Sequence, residues 1–135
     1  MKSITIFALL TFTAAATFIA CDENPYKQGR VLYEVNCGNC HGLNGEGLGE
    51  LIPPLVKADY LIQHKTEIPC MIIKGIKGEI TVNNKKYGTN VMPPNDKLTD
   101  FEITNILNYI NASWGNNKEF IILNNVRDNL KNCTN

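Results

Sequence analysis

The five residues Cys37-Gly38-Asn39-Cys40-His41 decide how this sequence is interpreted. The pattern C-x-x-C-H is the attachment signature of c-type haem. Two thiols at this spacing lie close enough to add to the two vinyl groups of one porphyrin, and the histidine that follows becomes an axial ligand of the iron. The motif therefore predicts one haem c, bound covalently through Cys37 and Cys40, with His41 on its iron.

Two other interpretations of the cysteine pair are open. A Cys-x-x-Cys pair can be a thioredoxin-like redox centre, but such centres lie near a βαβ unit, and none is legible in the sequence. The pair can also be half of a zinc site, but no second Cys-x-x-Cys and no histidine pair is present to complete four ligands. Haem attachment is the favoured interpretation.

A second iron ligand is predicted in Met92-Pro93-Pro94. A thioether is a soft, neutral ligand, and methionine opposite histidine raises the reduction potential of haem iron. The prolines restrict the backbone and can present the sulfur rigidly. His64 is a rival ligand, but its polar neighbours favour an exposed helix surface. We therefore expect Met92 to bind the iron opposite His41.

Length and charge narrow the function classes. The chain has 135 residues, enough for one domain, with 13 Lys and Arg against 13 Asp and Glu. Residues 1–20 contribute only Lys2 to these charges, so the remainder has 12 basic and 13 acidic side chains, a formal charge of −1. There is no basic patch with interleaved aromatic residues, which argues against nucleic-acid binding.

Residues 1–20 are predicted to be a signal peptide. Lys2 precedes an apolar stretch that ends at Ala20, and Phe18-Ile19-Ala20-Cys21 resembles a bacterial lipoprotein box, although Phe18 stands where leucine is usual. Cleavage before Cys21 would make it a lipidated first residue, whose acyl chains would anchor the protein to a membrane. A soluble secreted protein and an uncleaved helical anchor are the alternatives. All three place the domain outside the cytoplasm, on the periplasmic side.

Haem and lipid leave two cysteines, Cys70 and Cys133. In an oxidising compartment these are expected to form a disulfide that ties the C-terminal tail to the middle of the domain. On the chain-entropy model, closing a loop of this length stabilises a fold by ~4 kcal/mol. The alternative is two unpaired thiols, one buried and one in a frayed tail.

Local patterns predict a mostly helical chain. Asn24-Pro25 has the form of an N-cap followed by proline at the first helical position, which begins a helix from Tyr26 to about Asn36. Thr99 to Glu102 has the form of a capping box before an apolar stripe at helical spacing, so a helix is expected to end near Trp114-Gly115. The stripe consists of Ile103, Ile106, Leu107 and Ile110.

Weaker patterns fill the remainder of the chain. Residues 58–75 are predicted to form one or two helices, and residues 124–131 a last short helix. The segments 79–82 and 85–87 flank Asn83-Asn84, which indicates a small β-hairpin.

Residues 26–114 resemble a class I, monohaem cytochrome c domain, here of a bacterial lipoprotein type. The resemblance lies in the pattern Gly29-x-x-x-Tyr33-x-x-x-Cys37-x-x-Cys40-His41-Gly42, and in the separation between Met92 and Tyr109. It implies an all-α fold, the small class I cytochrome c fold, with a short β-hairpin insertion before the loop of the axial methionine.

The resemblance also implies roles for individual residues. Gly29 would let the first and last helices cross closely, with Tyr33, Ile106 and Tyr109 filling the crossing. The Pro53 carbonyl would accept the Nδ1–H of His41, and Leu55 would pack on the porphyrin. The residues expected to pack around or support the haem are therefore Gly29, Tyr33, Pro53, Leu55 and Tyr109.

The expected organisation is a signal peptide at 1–20, a short tether at 21–25, a cytochrome c domain at 26–115 and a C-terminal extension at 116–135 packed on it. With both axial positions filled, such a protein would carry single electrons between a donor and an acceptor redox protein, bound transiently, and would have no small-molecule substrate. The alternatives are a haem-based gas sensor, a peroxidase-like enzyme, and a cytochrome subunit of a larger oxidoreductase.

Overall fold

Residues 25–133, which the computed structural model describes, form six helices and one two-stranded hairpin. In chain order these are α1 (Lys27–Asn36), α2 (Gly38–His41), α3 (Asp59–Gln63), α4 (Ile68–Lys74), β1 (Ile80–Val82), β2 (Lys85–Tyr87), α5 (Asp100–Ala112) and α6 (Leu123–Lys131). The described chain is thus mostly helical with one small antiparallel sheet. The predicted signal peptide and the lipid site at Cys21 lie outside the described residues.

Among the described residues, no helix combines the length and the apolar character that crossing a membrane requires.

Helices α1 and α5 cross in direct contact at Gly29. A Cβ atom at this position would lie 2.1 Å from the backbone oxygen of Asn105, so the two backbones approach more closely than any side chain would allow. Tyr33 and Ile106 fill the crossing and are fully buried, and Tyr109 is buried beside them. This crossing forms the wall behind the candidate site.

Helix α1 begins one residue later than predicted. Tyr26 occupies the N-cap position and makes no side-chain capping bond, while Pro25 lies in the preceding turn. The expected N-cap, Asn24, lies outside the described residues. A proline is compatible both with the first helical position and with the turn that leads into a helix, so the Asn-Pro pattern could not fix the boundary.

Helix α5 begins with the predicted capping box. The Thr99 hydroxyl accepts the Glu102 N–H at 3.3 Å, and the Glu102 carboxylate accepts the Thr99 N–H at 2.9 Å. The helix ends at Ala112, and Trp114 beyond it has a left-handed backbone with φ 55°. The four residues of the predicted apolar stripe, Ile103, Ile106, Leu107 and Ile110, are all buried.

The predicted hairpin is formed by β1 and β2, with Ile80 opposite Tyr87. Asn83 and Asn84 both have positive φ angles, 51° and 61°, which is the backbone that a two-residue type I′ turn requires. Asp59 at the start of α3 exchanges two hydrogen bonds with Asn83, at 3.1 and 2.7 Å. The hairpin is therefore held against α3.

The residues after α5 return along the other helices. Helix α6 begins at Leu123, one residue before its predicted start, and packs on α4 and α5. Its Val126 is fully buried in a cluster with Ile72 and Leu107. A disulfide joins Cys70 of α4 to Cys133 beyond α6, with the two Cα atoms 5.6 Å apart.

Candidate functional site

The Cys37–His41 motif folds as a tight turn at the end of α1. Cys37 donates its N–H to the Tyr33 carbonyl at 2.8 Å, and His41 donates to the Cys37 carbonyl at 2.9 Å. Helical geometry places residues three and four apart on the same face. The turn therefore presents Cys37, Cys40 and His41 toward one side of the molecule.

The His41 ring is oriented by a backbone carbonyl. Its Nδ1 lies 3.1 Å from the Pro53 oxygen, so the Nδ1–H donates to this carbonyl and Nε2 keeps its lone pair. Burial lowers the pKa of His41, and the Pro53 hydrogen bond opposes this only in part. A neutral ring with Nε2 free is the form that binds a metal.

The two thiols do not have the character of a redox-active pair. Burial, and next the neighbouring Cys40, raise the pKa of Cys37 to about 11. Reactive Cys-x-x-Cys pairs work through a thiolate whose pKa is lowered instead. The small sheet is antiparallel and two-stranded, so the described chain also lacks the βαβ context of a thioredoxin-like centre.

A zinc site finds no further ligands in the described residues, since no three His, Cys, Asp or Glu side chains come together there in a group that could hold a metal ion.

The motif opens into an apolar cavity of about 340 Å³. Met92 lines this cavity together with Cys37, Cys40 and His41, and no Lys, Arg, Asp or Glu is among its described lining residues. Its size is that of a small-molecule or cofactor pocket. The apolar side chains that complete the lining include Leu51, Ile52, Leu55, Leu61, Met71, Ile72, Ile80, Val82 and Ile106. A flat apolar macrocycle with two thiol attachment points fits this chemistry.

The other predicted residues divide into two groups. Pro53 and Leu55 line the cavity, whereas Gly29, Tyr33 and Tyr109 lie behind it in the α1–α5 crossing. The Tyr33 hydroxyl donates to the Gly42 carbonyl at 2.6 Å, so it fixes the loop that follows His41. These three residues support the site without facing the cavity.

His64 lies outside the cavity lining in the described structure. Its ring stacks on Tyr60 with centroids 4.1 Å apart, and its Nδ1 lies 3.1 Å from the Glu67 carboxylate. Met71, by contrast, lines the same cavity as Met92. The structure therefore brings two methionines, and no second histidine, to this cavity within the described residues.

Sequence reasoning missed Asn116, which fixes the loop below the cavity. Its side-chain amide donates to the carbonyl of Leu55 at 2.8 Å and to that of Ile110 at 3.0 Å. Leu55 lines the cavity, so Asn116 joins the cavity wall to the end of α5. The sequence contains only an asparagine pair after Trp114-Gly115, a pattern that also fits an exposed turn.

Comparison with known proteins gives a family match and several relatives. The family model described as cytochrome c matches residues 26–114. Cytochrome c-552 of Thermus thermophilus is 33% identical over 87 residues, which cover 62% of this chain and 66% of that protein. The cytochrome c-552 of a second strain of that species is also 33% identical over 87 residues, covering 62% of this chain and 58% of that protein.

A third relative is a subunit of an enzyme. The cytochrome c subunit of the quinone-type alcohol dehydrogenase of Gluconobacter oxydans is 28% identical over 92 residues, which cover 66% of this chain and 19% of that protein. The chain thus spans 66%, 58% and 19% of the lengths of these relatives. Because the family match extends over residues 26–114, well over half of its length, the chain belongs to the cytochrome c family, whose cofactor is covalently attached haem c with its iron.

Proposed function

We propose that this protein is a monohaem electron carrier, in which Cys37 and Cys40 attach the haem and His41 and Met92 bind its iron from opposite sides. The observation that carries the proposal is one apolar cavity lined by all four of these residues. The haem supplies the chemistry, a reversible one-electron change of iron valence. The protein residues fix the cofactor, orient its ligands and keep water away.

A carrier follows from saturated coordination. With His41 and Met92 both bound, no position is left on the iron for a substrate or a gas. The Pro53 hydrogen bond holds His41 in one tautomer and orientation, so little has to rearrange when the charge of the site changes. The absence of charged side chains from the described lining favours a raised reduction potential, because burial in an apolar site disfavours the more highly charged ferric form.

The choice of Met92 over Met71 rests on the backbone around each. Met71 lies inside α4 and packs with the Ile72 cluster, as an ordinary core methionine does. Met92 lies in a loop before two prolines, and its separation from Tyr109 is that expected from the family resemblance. Met92 is therefore assigned to the iron and Met71 to the wall of the cavity.

Carbon monoxide tests the assignment, because it binds ferrous haem only where a position is vacant. We expect the reduced protein to form no carbonyl complex at neutral pH on mixing, and the Met92→Ala variant to form one rapidly. Rapid binding by the unaltered protein would contradict the carrier and favour a gas sensor or a peroxidase-like enzyme.

The partners we propose are a donor and an acceptor redox protein that dock transiently. A cytochrome subunit of a larger oxidoreductase is the second candidate, because a relative carries that description. Purification without detergent exchange separates the two: a carrier elutes at the size of a single chain, whereas a subunit elutes with its enzyme.

We further propose that residues 1–20 direct export and that Cys21 is lipidated, which places the haem domain on the periplasmic side of a membrane. The support is the apolar stretch and the lipoprotein-like box in the sequence. The Cys21→Ser variant should appear in the soluble fraction, whereas the parent stays with membranes because acyl chains anchor it. Equal distribution of both proteins would argue for export without lipid.

A further inference from the structure

Helix α4 is fixed on one side to the C-terminal part of the chain. The disulfide joins Cys70 in α4 to Cys133, and the Lys74 ammonium donates to the Cys133 carbonyl at 3.2 Å. Alongside these bonds, Val126 of α6 is fully buried in the same cluster as Ile72 of α4. While the disulfide is intact, α4 cannot move away from α6.

The end of α4 is bonded to the segment that carries Met92. Ile76 and Met92 exchange two backbone hydrogen bonds, at 3.0 and 3.1 Å, and the Asn95 N–H donates to the Ile72 carbonyl at 2.9 Å. The backbones also touch: a Cβ atom at Gly75 would lie 2.3 Å from the Met92 oxygen. Both backbone polar groups of Met92 are thus held by the residue that follows α4 and Gly75.

The residues beside Met92 contribute little to holding it. Val91, Pro93 and Pro94 are exposed, and the prolines have no N–H to donate. The stretch between Tyr87 and Asp100 contains neither a helix nor a strand. The position of Met92 at the cavity therefore depends on the position of α4.

We propose that the Cys70–Cys133 disulfide is a positioning element for the iron ligand Met92, acting through α4 and its backbone bonds to the Met92 segment. The inference rests on the proposed axial role of Met92. Without the disulfide, α4 gains freedom to shift, and Met92 detaches from the iron in a larger fraction of molecules. The disulfide thus keeps the sixth position of the iron filled.

The test is the rate of carbon monoxide binding to the reduced holoprotein, measured well below the unfolding temperature of each variant. The Cys70→Ser/Cys133→Ser double variant should bind carbon monoxide at least about ten-fold faster than the parent, because capture follows the population with the ligand detached. A rate within about two-fold of the parent would overturn the inference.

Val126→Ala is the matched control for a general loss of stability. It removes buried methyl groups from the same α4–α6 contact and leaves the disulfide intact. We expect its unfolding temperature to fall while carbon monoxide binding stays at the parent rate. If this variant accelerates binding as much as the cysteine double variant does, loosened packing explains the effect and the disulfide has no positioning role.

A second pair of variants tests the other end of the link and remains informative if the cysteine variant does not fold. Gly75→Ala places a methyl group against the Met92 carbonyl and should accelerate carbon monoxide binding. Gly49→Ala is its control, since Gly49 also has a positive φ, 55°, but nothing lies within 4 Å of its added Cβ. Equal, parent-like rates in both variants would overturn the link through Gly75.

The parent protein distinguishes this inference from the proposed function. If the reduced parent binds carbon monoxide at once, Met92 does not hold the iron and the proposed function fails first. If the parent is inert and the cysteine variant is equally inert, the carrier proposal stands and only the positioning role is overturned.

Discussion

At the scale of single residues, Gly29 is the position where one methyl group should do most damage. Alanine is ordinarily about 1 kcal/mol more favourable than glycine inside a helix. Here the new Cβ would meet the Asn105 backbone oxygen at 2.1 Å and the Tyr109 Cβ at 2.9 Å. We expect Gly29→Ala to lower the free energy of unfolding by about 1–3 kcal/mol in denaturant titrations of the holoprotein.

Gly38→Ala is the control for this prediction. Gly38 is also helical, but its added Cβ meets mainly the tip of the flexible Leu43 side chain, at 3.2 Å. Its free energy of unfolding should stay within about 0.5 kcal/mol of the parent. A stabilised Gly29→Ala variant would show that the two helices do not cross as closely as described.

Asn108 carries the second prediction at this scale. It is buried, and its side chain makes two hydrogen bonds with the backbone of Ile121, at 2.9 and 2.8 Å. Asn108→Ala leaves both Ile121 groups without these partners and should lower the free energy of unfolding by about 1–3 kcal/mol. Asn105→Ala removes only a bond to Phe101 of the same helix and should have little effect. Equal losses would remove the special role of Asn108.

Sequence reasoning identified residues whose chemistry is visible in their own spacing, and missed residues whose partners are distant. Cys37, Cys40 and His41 reveal themselves because haem attachment needs those types at that interval. Asn108 has no such signature, since its partner lies 13 residues further on in a segment without regular structure. An amide inside an apolar stripe predicts a buried partner, but does not say which one.

At the scale of helices and strands, an ion pair joins the start of α5 to α6 and should make stability depend on pH. Arg127 Nε lies 2.5 Å from an Asp100 carboxylate oxygen. The Arg127 hydrogen bond lowers the pKa of Asp100 below its ordinary value. The stabilisation is therefore complete above the unfolded-state pKa of Asp100 and is lost as the pH falls through its lower folded-state pKa.

Thermal unfolding between neutral pH and about pH 3 tests this pair. The unfolding temperature of the parent should exceed that of Asp100→Asn at neutral pH, and the difference should shrink as the solution becomes acid. Lys131→Ala, which breaks an exposed pair with Asp128 within α6, serves as the control and should show a smaller change at neutral pH. A constant difference between parent and Asp100→Asn at all pH values would contradict the linkage.

Helix and strand boundaries were predictable where side chains themselves form the boundary. The Thr99–Glu102 capping box placed the start of α5, and the asparagine pair placed the hairpin turn, because each signal consists of side-chain or φ preferences at fixed positions. The start of α1 was wrong by one residue because a proline fits more than one position there. The number of helices in residues 58–75 depended on tertiary packing and stayed open in the sequence.

At the scale of the whole molecule, the mouth of the cavity is the surface through which electrons would pass, and its charges are balanced. Leu51 and Val91 line the cavity and are exposed. The nearby hairpin lysines are paired, Lys85 with Glu50 at 3.4 Å and Lys86 with Glu79 at 2.8 Å. Docking should therefore rely on apolar contact rather than on a ring of lysines.

Ionic strength tests this surface, because the Debye length falls from about 30 Å at about 0.01 M to about 8 Å at about 0.15 M. The rate of electron transfer to an acidic redox partner should change less than about three-fold across that range. Val91→Asp should slow transfer, whereas Val35→Asp, an exposed valine of α1 outside the cavity lining, should not. A steep fall with salt in the parent would indicate charge-guided docking.

Most of the helical content and the residues of the cavity followed from the sequence, but the arrangement that unites them did not. The motif at Cys37 and the methionine at 92 are far apart in the chain, and only the folded α4 and its backbone link bring Met92 to the same cavity. The presence of Met71 in that cavity was equally invisible, because helix spacing alone does not say which face meets the haem.

The most direct test of the central claim compares the two methionines of the cavity. Met92→Ala should alter the optical spectrum of the holoprotein and lower its midpoint potential by on the order of 0.1 V, because the neutral sulfur ligand is lost. Met71→Ala should keep the parent ligation and shift the potential far less. An unchanged spectrum and potential in Met92→Ala, measured by spectroelectrochemical titration, would contradict His41–Met92 coordination and the carrier function that depends on it.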